Sequence, residues 1–121
     1  MDMTKGAEGM SKVSFEGIGE VVATFACGTG VQEGQVVKLT GNGAVGACAA
    51  KERFCGVVLC VKDGYAAVQV GGLAQVTAGE SVTAGWVKLS ANGTGGVQKD
   101  DDTGTEYLVV SAGGGRAIVR L

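Results

Sequence analysis

The chain contains no histidine and no proline, only six aromatic residues among its 121, and no long apolar run. Each absence excludes something. Without histidine there is no Ser-His or Cys-His dyad and no His-ligated metal centre. A general base would have to be a carboxylate, a lysine or a tyrosine. Without proline, the 23 glycines do not fit collagen or the usual low-complexity compositions. They read instead as turns, bulges and close backbone contacts. The longest apolar stretch, around Val57–Val61, is far shorter than the roughly 20 residues of a membrane helix. The first 13 residues carry no apolar core, so a secretory signal peptide is not expected. Synthesis in the cytosol is the corresponding expectation.

Net charge is −2. The lysines and arginines are spread evenly from Lys5 to Arg120 and form no basic stripe, so nucleic acid is not an expected partner. Apolar residues make up 45%, which is incompatible with a disordered chain. The length gives one domain with one substantial core. The cysteines, Cys27, Cys48, Cys55 and Cys60, match no zinc spacing and read as small buried hydrophobes.

Period two governs what is present. Residues 1–12 are polar and without periodicity, and residues 1–16 read as an N-terminal arm ahead of a β domain over 17–121. Val13 and Phe15 alternate with Ser14 and Glu16 at the end of that arm. Val21, Ala23, Phe25 and Cys27 share one face of the next strand, and Val37 and Leu39 share a face of another. The segment Phe54–Val61 is almost wholly apolar and is expected to be buried on both faces. Asp63-Gly64 suits a two-residue hairpin turn with positive φ at both positions, leading into Tyr65–Val70. Strands are expected at Leu73–Thr77, Trp86–Ser90, Glu106–Ser111 and Arg116–Leu121, with Gly113-Gly114-Gly115 turning the last pair. Ala47–Arg53 and Ala78–Thr83 each have room for one helical turn. The fold class is therefore all-β: a small sandwich or barrel of short antiparallel strands joined by Gly-rich, Asn-Gly and Asp-Gly turns.

An internal repeat supports this. Residues 36–43, VVKLTGNG, align with residues 86–93, WVKLSANG, at an offset of 50 with five identities in eight. Each copy is a strand running into Asn-Gly, and the two read as related hairpins on opposite sheets.

Several motifs carry less than they suggest. Gly41–Gly46 spells G-x-G-x-x-G, but too few residues follow for the helix and parallel return strand of a dinucleotide site. Asp100-Asp101-Asp102 offers no converging oxygen cage for a cation and reads as a solvated hairpin tip. Trp86, Tyr65 and Tyr107 could form a sugar-stacking platform. Trp86 alternates with Val87 and Leu89, so it is expected at the surface, where an exposed tryptophan marks an interaction. Glu33, Glu52 and Glu80 each sit in an expected turn and form no identifiable catalytic pair.

The order of signals carries a resemblance. Residues 31–39 (VQEGQVVKL) open a strand after a turn and a glycine. Phe54-Cys55-Gly56-Val57-Val58-Leu59 follows, then Ala67–Gly72, then Ala84–Leu89 with Asn92-Gly93, then a short C-terminal hairpin. This run, roughly residues 20–121, resembles the small head-decoration or capsid-cement proteins of tailed phages and their prophage-encoded relatives. The resemblance implies a β-sandwich or β-barrel on the capsid exterior, often trimeric, that binds the major capsid protein and reinforces the shell. It implies a virion location, no cofactor, no metal and no catalytic residues. Val13 and Phe15 in the arm, with Trp86, are the residues expected to make contacts. The remaining readings are another virion or surface β module, or a small domain binding sugar or peptide.

Overall fold

The computed structural model describes residues 19–121. Ten strands fill it: β1 (Val21–Cys27), β2 (Val36–Gly41), β3 (Ala44–Ala47), β4 (Gly56–Lys62), β5 (Tyr65–Gly71), β6 (Leu73–Thr77), β7 (Gly85–Ala91), β8 (Val97–Lys99), β9 (Thr105–Gly113) and β10 (Arg116–Arg120). The first five close into a barrel in the order β1-β3-β2-β4-β5. The last five form a sheet in the order β6-β10-β9-β7-β8. No helix occurs among the described residues, so neither Ala47–Arg53 nor Ala78–Thr83 holds a helical turn. Each makes one short backbone link, Glu52 N to Ala49 O and Val82 N to Gly79 O, and neither continues.

The barrel is not wholly antiparallel. β1 meets β3 in parallel at Ala26 and Cys27. Its other edge runs antiparallel to β5 from Val21 to Ala26. The parallel contact closes the cylinder between strands that are not adjacent in the chain. Asp63 (φ 53) and Gly64 (φ 79) make the expected β4–β5 turn. At the β2–β3 turn only Gly43 has positive φ, and the register slips between Leu39 and Gly41, so a bulge does what a second positive-φ residue would otherwise do.

Alternation divides the apolar residues between two cores. Val37, Val45, Val58, Ala66 and Val68 fill the barrel with Val31, and Phe25 and Cys27 pack against them. Val36 and Val57, the outward neighbours of Val37 and Val58, join Phe54 and Cys48 against the sheet residues Val76, Val87, Leu89, Val97, Val109 and Val119. The β2–β4 wall is thus shared by both layers. This explains where the expected burial of Phe54–Val61 holds and where it fails. Val57 and Val58 are buried, but Leu59, Cys60 and Val61 are exposed. β4 pairs with β2 only at Val57 and Gly56, and beyond that point it leaves the layer contact. Leu39, further along β2, is 58% exposed.

Among the described residues the chain crosses between layers once, at Gly71-Gly72-Leu73. Gly72 has φ +85, and a Cβ there would lie 2.6 Å from the Gly19 carbonyl oxygen. The buried Gln69 straps the crossing. Its Nε2 donates to Gly71 O (3.0 Å) and Leu73 O (2.9 Å). Main-chain bonds join the layers again where Val36 N donates to Gly95 O, Lys51 N to Ala91 O and Ala91 N to Glu52 O. The two margins of the sheet touch through a parallel bridge between Ala78 and Val97. The two repeat copies lie as expected, β2–β3 in the barrel and β7–β8 in the sheet.

Candidate interaction surfaces

Val13 and Phe15 lie outside the described residues. Trp86 lies within them and is 65% exposed. Its β7 neighbours Val87 and Leu89 point into the core, so the indole is directed away from the barrel. The suggested aromatic platform does not form. Tyr107 pairs in register with Val87 and so takes the opposite face from Trp86. It stacks on Phe54 with ring centroids 4.9 Å apart and donates to Phe54 O at 3.4 Å. Tyr65 begins β5 on the barrel, at the tip of the β4–β5 hairpin.

Around Trp86, the second surface is polar. Thr83, Ala84, Lys88, Lys99, Asp101 and Glu106 line a groove of about 350 Å³ with the indole. Leu108 pairs with Trp86 across the β7–β9 ladder, and Glu106 pairs with Lys88. Lys99 Nζ stands 3.7 Å from an Asp101 carboxylate oxygen.

A third surface is the cleft of about 630 Å³ where barrel meets sheet, lined in part by Leu39, Arg53, Phe54, Val70, Tyr107 and Leu121. The Lys38–Glu52 pair stands at it, with Nζ 2.7 Å from both carboxylate oxygens. That bond, with a second from Ala49 N, holds the Glu52 carboxyl below its ordinary value. Burial pushes the Tyr107 hydroxyl up.

The cysteines divide. Cys48 is buried, Cys27 and Cys55 are half-buried, and Cys60 is exposed, contrary to the uniform burial expected. Cys60 follows the register shift between Val58 and Cys60, on the part of β4 that has left the layer contact. Burial pushes the Cys48 thiol up to about 11, and the Cys55 thiol upward also, so neither is activated as a thiolate.

The acidic run is not a bare solvated tip. Asp101 and Asp102 are exposed, but Asp100 is buried and organises the turn. Its carboxylate accepts from Asp102 N, Thr103 N, the Thr103 hydroxyl and the Ser90 hydroxyl. These bonds, those from Thr103 foremost, hold its carboxyl far below the usual carboxylate range. A matching device shapes the β7–β8 turn, where Asn92 Oδ1 accepts from Thr94 N, Thr94 Oγ1 and Gly96 N. Asp-x-x-Thr ahead of a glycine is the local signal that could have identified Asp100 as a turn organiser. Nothing local marks Gln69, whose partners depend on where the chain changes layers. The G-x-G-x-x-G residues Gly41–Gly46 span the β2–β3 hairpin, not a strand-to-helix turn.

These elements define an all-β molecule in which a five-stranded barrel is backed by a five-stranded sheet. No family model matches the chain, and no curated protein matches it by sequence. Among solved structures it is similar to head fiber gp8.5 N base in bacteriophage phi29, with a TM-score of 0.61 over 84% of this chain and 93% of that one, at 18% identity. The likeness is one of fold.

Proposed function

We propose that this chain is a non-enzymatic structural protein of a phage or prophage, a decoration subunit that attaches to the capsid exterior. The observation that carries the reading is the fold match to a phage head fiber base, which spans 84% of this chain and 93% of that one. The sequence resemblance to capsid-cement proteins points the same way. The molecule suits the task physically. Two cores locked through a shared wall make a rigid body. Exposed apolar residues, among them Val21, Leu39, Val61 and Tyr65, leave contact area on the barrel.

The partners proposed are the major capsid protein and further copies of this chain, in trimers. Repetition over the shell turns a modest single contact into firm attachment. The arm, residues 1–16, adds a strand through Val13 and Phe15 to an edge on the capsid or on a neighbouring subunit. The location that follows is the virion, with assembly in the bacterial cytoplasm.

Banding induced particles on a density gradient and quantifying this chain by mass spectrometry tests the reading. Near-stoichiometric recovery with the major capsid protein is expected, and loss of that recovery on deleting residues 1–16. Absence from intact heads while the chain is abundant in the soluble fraction refutes it.

A further inference from the structure

Trp86 is the single tryptophan of the chain, and it stands in water. Nothing among the described residues requires it there. At the matching position of the other repeat copy stands Val36, which is buried between barrel and sheet. The sheet copy therefore carries the largest side chain available, directed outward at the start of β7, beside the partly buried Leu108.

The groove it borders is chemically balanced. Lys88 and Lys99 bring two ammonium groups, and Glu106 and Asp101 bring two carboxylates. With no net charge, it lacks the unopposed positive field that a polyanion requires. A wholly apolar partner would strip water from four ions without replacing their hydrogen bonds. What suits the set is a neutral molecule that offers a flat C–H face on one side and hydroxyls around its rim. The indole supplies an apolar plane with one N–H donor. Carboxylates accept hydroxyl protons, and ammonium groups donate to hydroxyl and ring oxygens. The Lys99–Asp101 contact is long and exposed, so it opens at little cost when a hydroxyl enters. The volume, about 350 Å³, lies within the range of small-molecule sites, roughly 300–1,000 Å³.

We propose that the Trp86 groove is a carbohydrate site for a neutral glycan, with the sugar ring on the indole and its hydroxyls on Glu106, Asp101, Lys88 and Lys99. The proposal stands or falls independently of capsid attachment.

Native electrophoresis of the full chain through gels containing galactomannan, xyloglucan or laminarin tests it, together with titration of a soluble chito-oligosaccharide while Trp86 emission is followed. Trp86 is the only indole, so its emission reports the groove alone. Retardation by at least one glycan, or a blue shift on titration, is expected. Trp86→Ala is expected to weaken binding about thirtyfold, the scale of a hot-spot truncation, with an unchanged circular dichroism spectrum. Trp86→Phe is expected to lie between, and Glu106→Gln to weaken binding without abolishing it. No response to any of the four glycans refutes the proposal, as does retardation that Trp86→Ala leaves unchanged. If no glycan binds but Trp86→Ala releases the chain from particles, the indole is a protein contact. The proposal then falls while the capsid reading stands.

Discussion

Replacing Gly72 by alanine tests the crossing between barrel and sheet, because two separable effects meet there. The backbone is left-handed at φ +85, and the new Cβ would lie 2.6 Å from Gly19 O and 2.9 Å from Gly19 C. Left-handed geometry costs an L-residue about 1–2 kcal/mol, and forcing an atom into filled space costs about 1–3 kcal/mol. The sum, about 2–5 kcal/mol, is a large part of the roughly 5–15 kcal/mol that stabilises a domain of this kind. Two other glycines separate the terms. Gly30 has φ +92 with open space around its Cβ position, so Gly30→Ala measures the backbone term alone. Gly56 has no positive φ, but its Cβ would meet Gln69 O and the Val68 side chain, so Gly56→Ala measures the crowding term. Urea unfolding followed by far-ultraviolet circular dichroism gives all three, with constant slope as the check that the unfolded state is unchanged. The expected order of destabilisation places Gly72→Ala above Gly30→Ala. If the two are equal, the close approach of Gly19 to Gly72 does not hold the crossing and the reasoning fails.

Other expectations follow from the same geometry. Gln69→Leu removes both bonds across the crossing and leaves two carbonyls without that donor, for a loss of about 1–3 kcal/mol in the same urea assay; an unchanged midpoint refutes the strap. Leu89→Ala opens the shared core and is expected to cost about 2–5 kcal/mol, whereas an effect below 1 kcal/mol in denaturant would show that the site collapses. The Asp100 carboxyl is lowered in the folded state, so its contribution is fully present above the unfolded carboxylate pKa, near 4. It is lost as pH falls further, and Asp100→Asn is expected to flatten the acid limb of stability against pH; an identical limb in the variant refutes this. Alkylation at neutral pH is expected to modify exposed Cys60 first and Cys48 last, read by peptide mass spectrometry, and prompt labelling of Cys48 would contradict its burial.

Local chemistry was legible in the sequence, and long-range pairing was not. Asp63-Gly64 announces its own turn because few residue pairs accept positive φ twice. Leu73–Thr77 alternates between bounding turn signals and is a strand over those same residues. Trp86 stands at the surface as its alternation with Val87 and Leu89 implies, because alternation is a local property. The parallel β1–β3 contact joins strands separated by β2, and no spacing encodes it. The apolar run through Val61 misled because hydrophobicity records suitability for burial, not where a neighbouring layer stops. Asp100 was hidden among two identical neighbours, and only its bonds to Ser90 and Thr103 set it apart. Val13 and Phe15 lie outside the described residues.

The single crossing at Gly72 also bears on how the protein is made. Among the described residues, the barrel strands come from residues 21–71 and the sheet strands from residues 73–120. The barrel strands therefore leave the ribosome ahead of the second layer. During that interval Val36, Phe54 and Val57 lack the sheet residues that pack on them in the folded chain. A transiently bare apolar wall invites association between nascent chains. The protein is thus most prone to aggregate until β6 to β10 have emerged and folded onto that wall.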